Sequence, residues 1–187
     1  MDTTTQYALA YALTTTAGLR GFLTLFAASV AAHYHLIHPS AGFMWLGADG
    51  TVIVLGVFAL LELAADKIPV VDHALHAVSF AARPVAAAIL VGGTVNTSSP
   101  GELAGLMAAG ALNALVVHTS SATARAASSA TTLGLANPAL SVVEDVIAIG
   151  GLIVTFAAPI LAAVLALILV ISLIVLGRRV YRGVTAA

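Results

Sequence analysis

The chain has 187 residues, of which 60% are hydrophobic and only 8% charged; seven Lys or Arg stand against eight Asp or Glu, for a formal charge of −1, and the mean hydropathy is +1.07. A soluble domain carries roughly 25% charged residues, so this composition places the chain in a lipid bilayer. So few basic residues exclude a nucleic-acid footprint, and the absence of cysteine removes disulfides, thiolate metal sites and cysteine nucleophiles together.

The amino-terminal MDTTTQYALAYALTTT has no basic stretch ahead of its apolar part, so it reads as a first membrane helix and not as a cleavable signal. The first apolar run, residues 7–32, is long enough to cross once, but Thr14, Thr15, Thr16, Gly18, Arg20 and Gly21 sit at its centre. Two glycines beside an arginine predict a span that is broken or closely packed at mid-depth. Residues 33–50 hold Pro39, three glycines, Tyr34 and Trp45, whose amphipathic rings favour the headgroup region; this reads as an interfacial loop.

Residues 51–65 form a second span, ended by Asp66, Lys67 and Pro69. Glu62 and Asp66 lie four residues apart and share a helix face. A third, less hydrophobic span over residues 71–90 carries Arg83-Pro84 near its middle, where proline removes a backbone donor and kinks a helix; a re-entrant third stretch is the alternative. Residues 92–102 are a Gly/Ser/Pro loop. The fourth span, residues 103–127, is rich in small residues that let backbones approach closely, and turns polar from Asn113 through His118 to Arg125. A connector over 128–138 leads to a fifth span with Ser141, Glu144 and Asp145 in its first turns, and a turn at Pro159 leads to a uniformly apolar sixth, followed by Arg178, Arg179 and Arg182.

These pieces predict an all-α polytopic membrane bundle of about six spans, a single transmembrane domain over residues 1–187. Cytoplasmic loops collect Lys and Arg. With the C-terminal arginines inside, the Lys67 turn and the connector after Arg125 also fall inside, which predicts both termini on the cytoplasmic side. Each half offers a polar-interrupted span (14–21; 118–125) followed by one with two acids (Glu62 and Asp66; Glu144 and Asp145), a pattern compatible with two inverted three-helix halves.

A charge at membrane depth costs roughly 2.5–3.5 kcal/mol on insertion scales, so such groups persist when they pair, face water or function. Glu62, Asp66, Asp72, Glu144 and Asp145 come out in the inner half of the bundle with Arg20, Arg83, Arg125 and Lys67. Two readings compete. The groups form buried ion pairs such as Arg20 with Glu62 or Arg83 with Glu144, or the carboxylates line a wet path that binds a cation or relays protons. Asp72 and Asp145 are the two most simply explained as solvating helix ends. Asp72 and His76 are spaced to meet across one turn. His33, His35 and His38 fall within six residues, a spacing that suits Zn²⁺ or Cu²⁺, with no neighbouring carboxylate or cysteine to complete the set. His118 lacks the second mid-membrane histidine that haem would need. No cofactor is expected, and no nucleotide-binding, metalloprotease or nucleophile-elbow motif occurs.

The elements A-G-L-R (17–20), E-x-x-A-D-K-I-P-x-x-D (62–72), R-P (83–84) and N-P-x-x-S-x-x-E-D (137–145) resemble the bacterial membrane-protein family known as domain-of-unknown-function family 4126. The resemblance implies a bacterial multi-spanning protein and transfers no catalytic or binding residue. The residues therefore predict a small transporter or channel for a cation or protons, homo-oligomeric in a bacterial inner membrane and not an enzyme. Glu62, Asp66, Glu144 and Asp145 would be its carboxylates, Arg20 and Arg83 their counter-charges, and Asp72, His76, His118 and Arg125 secondary groups. The rival functions are a structural or accessory subunit of a larger membrane complex and an intramembrane enzyme acting on lipid.

Overall fold

The structure of the protein, a computed structural model, describes the backbone of residues 1–65 and 69–185 and the side chains of residues 1–65 and 78–179. Its elements are α1 (Thr3–Leu19), α2 (Gly21–His33), a 3₁₀ helix (Ala41–Gly47), α3 (Asp49–Ala65), α4 (Pro69–Thr94), α5 (Pro100–Thr132), α6 (Asn137–Ala157) and α7 (Pro159–Thr185). No strand occurs among the described residues.

The distribution of side chains is that of a membrane protein. Large apolar residues face outward, among them Ile53, Val57 and Leu60 on α3 and Leu161, Val164 and Ile168 on α7, whereas Thr14, Thr15, Thr24, Ser29, Ser141 and Thr155 are buried. In water such a surface would be an aggregation hazard; in lipid it is the solvated face. The buried hydroxyls avoid a desolvation penalty by bonding the preceding helical turn: Thr14 and Thr15 donate to the Tyr11 carbonyl, Thr16 to Ala12 and Thr155 to Gly151.

By length and composition α5, α6 and α7 can each cross a membrane, and the 3₁₀ helix with α3, bent by 66° at their junction, passes as one more. Among the described residues that gives three or four candidate spans, against the six that the sequence predicted for the whole chain.

The largest departure lies in residues 7–32, which form two helices that double back. Arg20 leaves helical geometry (φ −142°, ψ 92°) while its N–H still donates to Thr16 and its carbonyl still accepts from Thr24, so the break is one residue long. The outer ends of both arms then meet again. Asn96 takes the Gln6 side-chain oxygen on its backbone N–H and donates its side-chain amide to the His38 carbonyl. Residues 6 and 38 thus share one end of the bundle, with Arg20 at the vertex between the arms.

The other helices take their directions from this V. Leu19 packs with Val170, and Ala12 with Ala162 and Ala166, so α7 runs parallel to α1. Added Cβ atoms at Gly110 and Gly18 would meet Thr14 and Val117 respectively, so α5 is parallel to α1 too. Gly56 lies against Phe26, Phe22 stacks on Phe58 at 5.1 Å and Glu62 reaches Gly21, so α3 descends beside α2. Because α7 starts near the outer end of α1 and runs the same way, Met1 and Arg179 lie at opposite ends of the bundle, not at one end as the six-span reading required. The parallel course of α1 and α5 also differs from inverted halves, in which equivalent helices would run in opposite directions.

Two smaller differences have local causes. The stretch 33–50 is more than an interfacial loop: Leu46 of its 3₁₀ helix is fully buried, and Phe43 fills the space above Gly92, where a Cβ would come within 2.1 Å of the ring. Helix α5 continues five residues past the expected end at 127. The Thr131 and Thr132 hydroxyls bond its own backbone, and the turn is made by Leu133 and Gly134 at positive φ.

Candidate functional site at the vertex

The break leaves unpaired backbone groups at both half-helix ends, in the interior where water cannot satisfy them. Glu62 on α3 answers the start of α2: Oε1 accepts the Gly21 N–H at 2.9 Å and Oε2 the Leu23 N–H at 3.0 Å. Arg83 on α4 answers the end of α1, donating from Nη1 to the Gly18 carbonyl at 3.0 Å. An anion thus sits on a helix N-terminus and a cation on a helix C-terminus, the signs the helix dipoles favour. Glu62 is 7% exposed and Arg83 4%.

The glycines of the A-G-L-R-G run allow this approach. A Cβ on Gly18 would lie 2.6 Å from Val117 Cβ and 2.7 Å from the Ala114 carbonyl, and one on Gly21 would press on Arg83 Cγ at 3.2 Å. Small residues here set how closely α5 and α4 pack against the vertex.

Arg20, the vertex residue, is fully buried and turns toward α6. Its Nε donates to Asp145 Oδ1 at 2.6 Å and its Nη2 to Ser141 Oγ at 3.1 Å, with Glu144 Oε2 3.8 Å away. Glu144 is shared: Arg125 of α5 pairs with its Oε2 and Ser121 donates to its Oε1. On α5, His118, Ser121 and Arg125 fall at i, i+3 and i+7, one buried stripe facing the acids of α6. His118 lies 2.6 Å from Arg83 Nη1 through Nδ1. A guanidinium can only donate, so the imidazole accepts and carries its own proton on Nε2.

The structure therefore brings together Arg20, Glu62, Arg83, His118, Arg125, Glu144 and Asp145. The pairings differ from those anticipated: Arg20 takes Asp145, not Glu62, and Glu62 takes backbone N–H groups. Asp145, read both as a site carboxylate and more simply as solvating a helix end, pairs with Arg20 at 2.6 Å. Asp66 and the side chains of Asp72 and His76 lie outside the described residues. The sequence reading missed Ser121 and Ser141, whose signal was only their spacing of one helical turn from His118 and Glu144, and missed the backbone groups of Gly18, Gly21 and Leu23.

The three loop histidines line one cavity of about 310 Å³ with Met44 and Gly47, yet no three metal-ligating side chains converge among the described residues. His33 engages its Nδ1, 3.1 Å from the Gly47 carbonyl and 3.3 Å from Asp49 Oδ1, which leaves Nε2 open, so it is the lack of a converging third ligand that decides. The metal reading of His33, His35 and His38 is thus not supported by their geometry.

A family model described as a domain of unknown function, DUF4126, matches residues 7–179. No curated protein and no solved structure matches the chain.

Proposed function

Since the chain belongs to the DUF4126 family, whose description assigns no activity, we propose from the geometry alone that it is a small membrane transporter or channel working at the helix break. The observation that carries this reading is the one-residue interruption at Arg20 inside the bundle, with its half-helix ends held by Glu62 and Arg83. Interrupted helices at mid-depth are a recurring way to place backbone and charge at a transport site, and ionisable groups at that depth are costly enough to mark function by default. The carboxylates Glu62 and Glu144 are the groups that would accept a proton or a cation. Each is now satisfied within the chain, as in a closed state.

The membrane in question is a bacterial inner membrane, with Arg178 and Arg179 at its cytoplasmic face and the α1–α2 pair re-entering from the opposite face. Small-residue helix faces favour a homo-oligomer.

A second reading, a structural or accessory subunit of a larger membrane complex, is favoured by the pairing itself, because such networks can fix helix register without any transport role. Ion flux into proteoliposomes separates the two. Wild-type protein should carry a proton or cation current that falls at least about tenfold, roughly 1.4 kcal/mol in barrier terms, in a Glu62→Gln, Glu144→Gln double variant that keeps wild-type helicity. Equal, near-zero flux in both would remove transport and leave the structural role.

A further inference from the structure

Beside the vertex lies a cavity of about 300 Å³ between α1, α4 and α5, lined by Tyr7, Tyr11, Thr14, Val91, Leu106 and Asn113 among others. Its outer rim is exposed, where the Tyr7 hydroxyl donates to Glu102 at 3.0 Å. Its floor is Asn113, 13 residues into α5 and therefore about 20 Å along the helix at 1.5 Å per residue.

The hydrogen bonds at this floor fix the orientation of the amide. Thr14 and Thr15 each spend their hydroxyl proton on the Tyr11 carbonyl, so they can only accept from Asn113. Its Nδ2 donates to both, at 3.0 and 2.9 Å. The amide oxygen is left with no hydrogen-bond partner among the described residues, and it is not among the sealed polar atoms. An amide oxygen facing hydrocarbon costs several kcal/mol, so its surroundings must supply a donor.

We infer that this cavity is a water-filled vestibule leading from the α1 end of the bundle to Asn113, open to water and small hydrogen-bond donors. No charged side chain lines it, so it would pass water, a hydrated proton or a small neutral donor without holding an ion of either sign. Five residues further along α5, about 7.5 Å, comes His118 with Arg83. Between them stands the tight seam where Gly18 meets Ala114 and Val117. The vestibule rests on the transport reading only for its purpose, since its hydration is a separate matter.

The absence of native cysteine makes the test direct. Single-cysteine variants Asn113→Cys and Ala109→Cys, the second a small-to-small change one turn above on the same wall, are treated in proteoliposomes with a charged, membrane-impermeant thiol reagent. Gly101→Cys, beyond the rim, and Leu112→Cys, on the exposed apolar face of α5, serve as controls. A thiol in hydrocarbon stays protonated and unreactive. Both wall cysteines should therefore react at least about tenfold faster than Leu112→Cys, and Ala109→Cys decides the matter if Asn113→Cys fails to fold. Labelling only by a lipid-soluble maleimide, or by neither reagent, would overturn the vestibule. Labelling without ion flux would keep the vestibule and remove transport, whereas flux without labelling would keep transport and move its route elsewhere.

Discussion

Replacing Glu62 with alanine should cost the folded protein about 3–5 kcal/mol, the range seen when one partner of a buried charge pair is removed. Two backbone donors, at Gly21 and Leu23, lose their acceptor together, and Arg20 and Arg83, two guanidiniums whose charges act on this carboxylate, lose a counter-charge. Neither donor can turn to water, because the vertex is packed by Gly18, Gly21 and their neighbours on α4 and α5. Glu62→Gln keeps the shape but sets an amide –NH₂ against a backbone N–H, so it should fall between alanine and wild type. The measurement is the unfolding midpoint in mixed micelles titrated with a denaturing detergent. A loss within about 0.5 kcal/mol, as for surface substitutions, would mean that Glu62 does not cap α2.

The second large effect belongs to Arg20. Arg20→Ala removes the 2.6 Å contact of Asp145 and weakens the field on Glu144, and should also cost about 3–5 kcal/mol. A double-mutant cycle isolates the pair. With Asp145→Asn the two losses should fall short of additivity by about 0.5–3 kcal/mol, as for residues in direct contact, since Nε of Arg20 donates to Asp145 at 2.6 Å. The same cycle between Arg20 and Arg125, which meet through Glu144 and not directly, should give a smaller coupling. Additive losses for Arg20 and Asp145 would place the two side chains apart.

The convergence of Glu62, Glu144, Asp145 and the arginines at the vertex was legible because it needed only their placement: Glu62 near the end of one apolar run, Glu144 beside Asp145 early in another, and arginines at the centres of apolar runs. The break at Arg20 was legible for the same reason, since glycine on both sides of a mid-span arginine rarely continues a helix. The doubling back was not. A run of 26 apolar residues fits one crossing or two half-crossings equally well, and what decides between them is the long-range contact of Asn96 with residues 6 and 38, which no local pattern encodes. The partners were hidden for a related reason. Charge balance shows that acids and bases should meet, but Glu62 went to backbone N–H groups that exist only once the helix is broken, and this freed Arg20 to reach Asp145. Pro84 itself lies inside α4, which runs as one helical element from Pro69 to Thr94.

The course of the first 40 residues is the feature on which the vertex, its caps and the proposed transport site all depend. Spin labels on Thr3→Cys and Leu36→Cys, both at exposed positions, report it by pulsed dipolar spectroscopy. If α1 and α2 fold back from Arg20, the labels share one end of the bundle and their separation stays well below half the length of a straight helix between them. A single straight crossing would hold them about 50 Å apart, at 1.5 Å for each of the intervening residues, and a distribution centred there would contradict the re-entrant pair.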